Sequence, residues 1–273
     1  MYLTNDVHFA TAANAFDRVA DSYDELFTHT VVGRAQRKQV WKRLDAAFPE
    51  GSRILELNCG TGEDARFLSK RGCSVVACDG SAAMIEVAER NTQEEGNFEN
   101  LIFRQMDNED LASFPPGMVF DGAFSNFSGL NCLETLRPVA NDLSNLVRPG
   151  GHVLICLWSR FCVAEMLWYV FHGQPKKAVR RWAGKGAANL GEMTISVSYP
   201  SVNEVRDAFD PWFQLTSRRA VGLFVPPSYV ESTIAKRPNA IAWMESLDRR
   251  LANWPVLRDL GDHMLLEFVR CTP

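Results

Sequence analysis

The stretch RILELNCGTG, residues 53–62, constrains the fold of this chain more than any other. An apolar run that bears one acid, Glu56, leads into a glycine-containing turn and then into the helical sequence EDARFLSK, residues 63–70. Gly60 and Gly62 permit positive φ angles and a close approach of the backbone to a ligand. The N–H groups at a helix N-terminus favour a negatively charged or polar group. The stretch therefore predicts a strand, a tight turn and a helix start that together hold a small polar molecule.

Strands and helices alternate after this stretch. Five segments, most of them nearly continuous in apolar or small residues, are predicted to be strands buried on both faces: residues 54–58, 74–79, 101–106, 120–125 and 152–158. The helices between them are predicted at residues 63–71, 81–91 and 136–147. Ser81 is placed as an N-cap, Pro138 lies in a first turn, and Pro149-Gly150-Gly151 ends the third helix. This alternation predicts a parallel sheet with right-handed crossovers.

The segments on either side of this pattern differ from it. Apolar residues at three- and four-residue spacing predict two amphipathic helices, at residues 9–27 and 30–48. Further along, residues 161–182 are predicted to form a largely buried helix, broken near Gly173 and Pro175, with a basic second part. The other predicted elements are an edge-like strand at residues 194–199, a helix at 201–209 started by Ser201, a segment at 213–219, a helical stretch from 226 and a last strand at 263–270. One core interrupted by a helical insertion accounts for this order.

Composition and charge argue against several partners and locations. The net charge is -4, with no strong basic tract beyond Lys176-Lys177 and Arg180-Arg181, so we expect no nucleic-acid partner. The N-terminus lacks the features of a signal peptide, and the longest apolar run, residues 161–171, is too short to span a bilayer. We therefore predict a cytoplasmic protein. The seven cysteines show no metal-ligand spacing, so we expect them reduced and predict no metal site.

Three acids fall in or just after successive strands: Glu56, Asp79 and Asp107. In a doubly wound sheet, ligands bind outside the carboxyl ends of the strands, so these positions can face one cleft. The spacing from Gly62 to Asp79 suits an acid that binds vicinal ribose hydroxyls. Asp107, on the next strand end, can bind the exocyclic amine of an adenine. Together these acids predict a site for an adenosine.

These motifs, taken in order, resemble those of class I S-adenosylmethionine-dependent methyltransferases, in particular the bacterial small-molecule group. The matching sequences are FDRVADSYDELF (16–27), ILELNCGTG (54–62), VVACDGSAAMIEVA (75–88), QMDNEDL (105–111), FDGAFSNFSGLN (120–131), LVRPGGHVLI (146–155) and the last strand. The resemblance covers the core well and the stretch after Trp158 only loosely. Asn58 stands where the family usually has the first glycine of the loop. Asn tolerates the left-handed conformation better than most residues, which makes the change acceptable.

The resemblance implies an α/β fold with a Rossmann-like, doubly wound, seven-stranded sheet whose last strand is antiparallel. It also implies one methyltransferase domain over residues 1–273. Its expected parts are N-terminal helices (1–50), a cofactor-binding core (51–159), a helical insertion after the fifth strand that includes the sixth strand and forms a substrate cap (160–262), and the last strand (263–273).

The same resemblance implies which residues bind S-adenosylmethionine. The predicted set is Tyr23, Glu56, Asn58, Cys59, Gly60, Gly62, Asp79, Gly80, Met84, Asp107, Asn108, Ser125 and Asn126. The loop is expected to line the methionine part, Asp79 to hold the ribose, Met84 and Asp107 with Asn108 to contact the adenine, and the end of the fourth strand to flank the sulfonium. Tyr23 is expected to close over the cofactor. Its alternative role is helix packing, and the alternative for the two aspartates is a helix N-cap or turn.

The expected reaction is an in-line displacement at the methyl carbon, which needs no protein nucleophile and no metal. A carbon or oxygen acceptor can require a base. His29, His152 and His172 lie near predicted cleft elements, but each is explained as well by a surface or structural role, so none is nominated.

The acceptor is predicted to be a small apolar or aromatic molecule. The side chains that suggest this are Phe127, Leu130, Trp158, Phe161, Met166, Trp168, Tyr169 and Phe171, and the alternative is that they form the core of the insertion itself. A further alternative places Lys176, Lys177, Arg180 and Arg181 against an anionic membrane surface.

Two other functions compete with methyl transfer. Residues 60–65 also fit G-x-G-x-x-A, which allows an NAD-dependent oxidoreductase, although Glu56, Asp107 and the late last strand argue against it. A non-catalytic adenosyl-ligand-binding subunit would keep the same loop without transferring a methyl group.

Overall fold

The computed structural model describes residues 11–96 and 98–272. The predicted start of the first helix, at residue 9, lies outside these residues. The described chain forms nine strands: β1 (Arg53–Leu57), β2 (Ser74–Asp79), β3 (Leu101–Gln105), β4 (Phe120–Ser125), β5 (Val147–Trp158), β6 (Lys185–Leu190), β7 (Met193–Ser198), β8 (Phe213–Val221) and β9 (His263–Arg270).

Seven of these strands form one sheet in the order β3-β2-β1-β4-β5-β9-β8. Strands β1 to β5 are parallel, and β9 is antiparallel to both of its neighbours. The predicted fold class is therefore confirmed. The strand order reverses between β1 and β4, and Leu57 of β1 lies level with Ser125 of β4 at their carboxyl ends. Open α/β sheets bind ligands at this switch point.

Helices cover both faces of the sheet. They are α1 (Ala12–Asp17), α2 (Ala20–Tyr23), α3 (Val31–Ala47), α4 (Glu63–Lys70), α5 (Ala82–Glu95), α6 (Arg137–Leu146), α7 (Val163–Phe171), α8 (Pro175–Ala178), α9 (Val202–Phe209), α10 (Glu231–Ile234) and α11 (Pro238–Leu251). A π-helical turn spans Asp24–Thr28, and 3-10 turns span Leu111–Ser113, Gly129–Cys132, Arg180–Ala183 and Ser228–Val230. The Ser81 hydroxyl accepts a hydrogen bond from the Met84 N–H at 3.1 Å, which confirms the predicted cap of α5. None of the helices in the described ranges has the length and apolar composition needed to cross a membrane.

The N-terminal segment departs from its prediction. Instead of one helix over residues 9–27, it forms α1, α2 and the π-helical turn. The segment bends because its acids bind the core: Asp17 accepts hydrogen bonds at the start of α5, and Asp24 accepts one from the loop after β1. The spacing of apolar residues indicates that the segment is helical, but it does not show where the helix bends. The bends are set by these hydrogen bonds to the core.

The helix predicted over residues 161–182 is also different. Helix α7 ends at Phe171, and its fully buried side chain is Glu165, not an apolar one. Leu167, Val170 and Phe171 are 51%, 54% and 82% exposed, in a stripe on the side opposite Glu165. The side of α7 that faces the protein carries the charged Glu165, and Leu167, Val170 and Phe171 therefore face outward. The membrane-surface alternative also placed Arg180 and Arg181 against lipid, but both donate hydrogen bonds to the buried Glu165, so only Lys176 and Lys177 remain for such a surface.

Two smaller predictions are corrected. Residues 149–151 do not separate α6 from β5, because α6 passes directly into β5 at Val147; they lie instead at a register shift within β5. The strand predicted at residues 194–199 does not lie at the edge of the main sheet, since it is β7 of a separate hairpin with β6. Strand β6, KGAANL, was missed because it lacks the β-branched and aromatic residues that mark strands. We call α7, α8 and the β6–β7 hairpin the cap.

Candidate active site

The loop after β1 takes the left-handed conformation at three positions. Asn58 has φ 56°, Gly60 φ 54° and Gly62 φ 77°, so the conformation expected for Asn58 is confirmed. The Ser125 hydroxyl donates a hydrogen bond to Oδ1 of Asn58 at 3.1 Å. A Cβ atom on Gly129 would lie 2.3 Å from Cβ of Asn58, so glycine at 129 gives the Asn58 side chain its space. Ser125 and Gly129 therefore make room for an asparagine at position 58, where the family usually has glycine.

A cavity of about 540 Å³ lies above this loop at the carboxyl ends of the central strands. We call it the polar cavity. The predicted residues that line it are Tyr23, Asn58, Gly60, Asp79, Gly80, Met84, Asp107, Asn108 and Asn126. Sequence reasoning missed the contribution of α1 and its N-cap, whose lining residues are Thr11, Ala12, Ala13, Asn14, Phe16 and Asp17.

Asp79 is the most constrained acid of the polar cavity. Its Oδ2 accepts a hydrogen bond from the Gly60 N–H and its Oδ1 from the Ser81 N–H, both at 2.9 Å. Burial nevertheless raises the pKa of Asp79 to about 6. The bond to Ser81 is the turn contact named above as the alternative role. Each carboxylate oxygen can accept a further bond, so that contact does not exclude a ligand-binding role.

Asp107 approaches the same end of β2. A Cβ atom on Gly80 would lie 2.1 Å from Oδ1 of Asp107, so any side chain at position 80 would displace this carboxylate. Gly80 thus lets two acids, Asp79 and Asp107, face one cavity.

Four predicted residues lie behind the wall of the polar cavity. Glu56 is 1% exposed, and its Oε2 has no hydrogen-bond partner within the described part of the chain. Burial raises its pKa well above the usual range. The backbone N–H of Cys59 donates to the Cys78 carbonyl, Ser125 holds Asn58, and a Cβ atom on Gly62 would lie 2.8 Å from the Phe103 ring. Apart from Glu56, these residues shape the loop through packing and hydrogen bonds.

The N-terminal segment closes the polar cavity from above. The Ser81 hydroxyl donates to Oδ1 of Asp17 at 2.6 Å, and the Thr61 hydroxyl donates to Oδ1 of Asp24 at 2.6 Å. The side-chain amide of Asn91 donates to the other oxygen of Asp24 at 2.9 Å. These bonds hold Tyr23 beside Gly60, where burial raises the pKa of its phenol to about 12.

A second cavity, of about 520 Å³, lies between the N-terminal segment, the cap and the start of β9. We call it the aromatic cavity. The two cavities share the wall residues Phe16, Tyr23, Phe127 and Cys132. Of the eight apolar side chains expected around an acceptor, only Phe127 and Trp158 line this cavity. Tyr199, Tyr229 and His263 line it as well, and the sequence analysis named none of them.

Phe127 is the central residue of the shared wall. It has φ 46° and Ser128 has φ 72°, a conformation that a bulky side chain rarely adopts. The turn is fixed from below, because Oδ1 of Asn126 accepts the Phe127 N–H at 2.9 Å and Nδ2 of Asn126 donates to Asp64 at 2.8 Å. The Arg37 guanidinium lies 4.8 Å from the centre of the Phe127 ring and donates to the same Asp64 carboxylate.

None of the three histidines considered from the sequence lines either cavity. His152 lies 3.2 Å from a carboxylate oxygen of Glu267, and His172 stacks on Trp168 at 4.0 Å. Among the described residues there is also no cluster of three or more His, Cys, Asp or Glu side chains that could hold a metal ion.

The sheet order, with the polar cavity at its switch point, is that of a Rossmann-like methyltransferase fold. Residues 54–151 match a family described as methyltransferase domain. This part of the chain is therefore a methyltransferase domain, and its motifs are similar to those of the class I S-adenosylmethionine-dependent methyltransferases. The family match removes the support for an NAD-dependent oxidoreductase.

Curated proteins that are similar in sequence to this chain include methyltransferases. The chain is 33% identical over 144 residues to the demethylmenaquinone methyltransferase of Clavibacter sepedonicus, covering 53% of this chain and 56% of the relative. It is 28% identical over 178 residues to the tRNA 5-carboxymethoxyuridine methyltransferase of Escherichia coli K12, covering 60% and 66%. The chain thus spans between about half and two thirds of the length of these relatives.

A solved structure supports the fold over nearly the whole chain. The CcbJ methyltransferase of Streptomyces caelestis superposes with a TM-score of 0.62 at 14% identity, covering 97% of this chain and 100% of that one.

The cofactor of this family is S-adenosylmethionine, and the residues of the polar cavity fit it. Its volume of about 540 Å³ lies within the roughly 300–1,000 Å³ typical of small-molecule sites. Asp79 presents a carboxylate that burial disfavours and that ribose hydroxyls would stabilise. Behind the cavity wall, one buried oxygen of Glu56 has no partner in the described ranges, and a cationic amino group on the ligand would offset this buried acid.

The raised pKa of Asp79 predicts pH-dependent binding of S-adenosylhomocysteine, the demethylated product. The carboxylate accepts hydroxyl hydrogen bonds, whereas its protonated form has one acceptor fewer, so affinity should fall as the pH drops through about 6. We expect a loss of roughly tenfold between pH 7 and pH 5, measured by calorimetry. The Asp79→Asn variant should show a flat profile over this range. An equally steep profile in that variant would assign the titration to another group.

Proposed function

We propose that this chain transfers the methyl group of S-adenosylmethionine to a small, apolar or aromatic organic acceptor. The observation that carries the proposal is the shared wall: a polar cavity that fits the cofactor meets an aromatic cavity at Phe16, Tyr23, Phe127 and Cys132. An acceptor in the second cavity would be adjacent to the cofactor in the first. Nothing in this arrangement requires a macromolecular acceptor.

The residues of the chain would act by binding and alignment. When bound, S-adenosylmethionine supplies an electrophilic methyl group on a sulfonium. Asp79 would accept hydrogen bonds from the ribose hydroxyls, and Asp107 with Asn108 would contact the adenine edge. Tyr23 and Phe127 would keep water from the junction of the cavities and hold the acceptor in line, which is the main requirement of this displacement.

The test has a binding stage and a transfer stage. Calorimetry should show that S-adenosylhomocysteine binds, and an absence of binding at millimolar ligand would overturn the proposal. The small-molecule fraction of a cell extract is then incubated with the protein and methyl-labelled S-adenosylmethionine. Mass spectrometry should detect a labelled product that exceeds its precursor by one methyl group. Binding without any labelled product would favour the non-catalytic subunit instead.

Tyr23 provides a test of the shared wall. The Tyr23→Ala variant should bind S-adenosylhomocysteine about tenfold more weakly, because it removes the ring that lies beside Gly60. The Tyr23→Phe variant should bind within about twofold of the wild type, since it keeps the ring and loses only the hydroxyl. Equal losses in both variants would show that the hydroxyl, not the ring, makes the contact.

A further inference from the structure

The aromatic cavity is lined by Arg180, Arg181 and Asp262, and these charges neutralise one another together with Glu165, which both arginines bind. Glu165, 1% exposed, accepts hydrogen bonds from Arg180 at 2.9 and 3.0 Å and from Arg181 at 2.6 and 3.2 Å. Arg181 also donates to Oδ1 of Asp262 at 2.8 Å. Two cations therefore face two anions. Because an unpaired charge would be costly to bury there, this pairing favours a neutral acceptor.

His263 also lines this cavity, and its side chain takes no part in the ion pairs between these arginines and acids. Its side chain is 3% exposed, and its Nδ1 faces Oδ2 of Asp262 at 3.5 Å, with no hydrogen-bond partner in the described residues. Burial, aided by Arg181 and opposed by Asp262, lowers its pKa to about 4, so the ring is neutral near pH 7. Because Asp262 occupies the Nδ1 side of the ring, a ligand in the cavity would bind at the other ring nitrogen, Nε2.

His263 lies next to the wall that the two cavities share. Its ring centre lies 5.4 Å from that of Phe127, in an edge-to-face arrangement, and 6.4 Å from that of Trp158. In register, His263 opposes Trp158 at the carboxyl end of β5. The ring therefore lies in the aromatic cavity beside the residue that separates it from the polar cavity.

The Asp262 carboxylate faces one edge of the ring and is held there by two donors. Arg181 binds Oδ1, and Nε2 of Gln36 donates to Oδ2 at 3.2 Å. A fixed negative charge beside Nδ1 favours the tautomer that carries its proton on Nδ1. That tautomer leaves the Nε2 lone pair available to accept a hydrogen bond.

We propose that His263 is a catalytic residue that binds the hydroxyl group of a neutral aromatic acceptor through Nε2 and receives its proton. This inference rests on the proposed function and narrows its substrate to a phenol-like or enol-like class. The acceptor oxygen forms its bond to the methyl carbon as the carbon–sulfur bond breaks, and that electron pair remains on sulfur. The hydroxyl proton passes to Nε2, and the resulting imidazolium faces the Asp262 carboxylate.

Binding is tested first, on protein saturated with S-adenosylhomocysteine so that no transfer occurs. The probes are 2-naphthol and 2-fluoronaphthalene, which differ in the hydroxyl but little in size. Calorimetry should show 2-naphthol binding to the wild type about 3- to 10-fold more tightly, as expected for one hydrogen bond. The His263→Phe variant should bind both probes equally, with its affinity for S-adenosylhomocysteine unchanged. The matched control His152→Phe, altered at a histidine that lines neither cavity, should keep the preference.

Transfer is tested next, by the formation of 2-methoxynaphthalene. The rate for His263→Ala should fall by at least about 100-fold, the lower range for loss of an acid–base group, with the KM for S-adenosylmethionine unchanged. Added imidazole should restore part of that rate, which a purely structural loss would not allow.

The results separate this inference from the proposed function. If the hydroxyl preference persists in His263→Phe, if the saturated wild type binds neither naphthalene derivative, or if imidazole restores nothing, the role of His263 is wrong while S-adenosylhomocysteine binding stands. If S-adenosylhomocysteine itself does not bind, the proposed function has failed.

Discussion

Replacing Arg181 with Met should lower the free energy of unfolding by about 3–5 kcal/mol, the largest stability change we expect from one substitution in this chain. Arg181 donates to Glu165 of the cap, to the Asp262 carboxylate and to the carbonyls of Ser159 and Asp262. The variant would leave Asp262 buried without its cation and Glu165 with only one. Urea unfolding followed by tryptophan fluorescence measures the change.

Arg180→Met is the matched control. Arg180 also binds Glu165, but its side chain is 41% exposed, so solvent screens the pair and the loss should stay below about 1.5 kcal/mol. Equal losses in the two variants would show that the link from Arg181 to Asp262 contributes little to stability.

Replacing Asp79 with Ala should weaken S-adenosylhomocysteine binding by about 1–3 kcal/mol, or roughly 5- to 150-fold. The variant removes the carboxylate that we expect to accept the ribose hydroxyls. Calorimetry gives the affinity, and a thermal melt shows whether the loop held by Gly60 and Ser81 remains folded.

Asp79→Asn and Asp207→Asn complete this series. The first keeps one acceptor oxygen and should fall between Ala and the wild type. The second neutralises an acid that is exposed on α9 and pairs with its neighbour Arg206, so it should leave binding unchanged. Unchanged affinity in a folded Asp79→Ala variant would refute the role assigned to Asp79.

The sheet and the loop were predictable because their signals are local. Apolar strand runs, Ser81 as an N-cap and the residues that end β1 and β2 lie within a few positions of the structures that they specify. The acids at successive strand ends come together because parallel strands bring their carboxyl ends to one edge of the sheet. Nine of the predicted binding residues line one cavity for this reason.

The cap and the second cavity were not predictable in the same way, because pairs distant in sequence determine them. Arg181 and Asp262 lie 81 positions apart, and nothing near either residue indicates the other. From its neighbours in sequence, Arg181 was predicted to belong to a basic surface, whereas in the structure its side chain is buried. The break after α1 likewise depends on Ser81, 64 positions from Asp17.

The sequence contained enough information to place His263 near the binding site. The last strand was predicted to begin at 263 and to be antiparallel. A strand that runs antiparallel to its neighbour begins where that neighbour ends, here at Trp158 of β5. Its first residue therefore lies at the carboxyl edge of the sheet, where ligands bind. His29, His152 and His172, which the sequence placed near predicted cleft elements, line neither cavity.

The contacts that hold the N-terminal segment over the polar cavity affect how fast the product S-adenosylhomocysteine can leave. The cap is joined to the core by desolvated ion pairs, whereas the acids that bind α1 and the π-helical turn to the core are less buried, since Asp17 is exposed and Asp24 is half-buried. Local opening occurs first where few buried contacts resist it. We therefore expect the residence time of the spent cofactor to depend on how often this segment detaches. Weakening the Asp24 contacts should then shorten that residence time before it affects global stability.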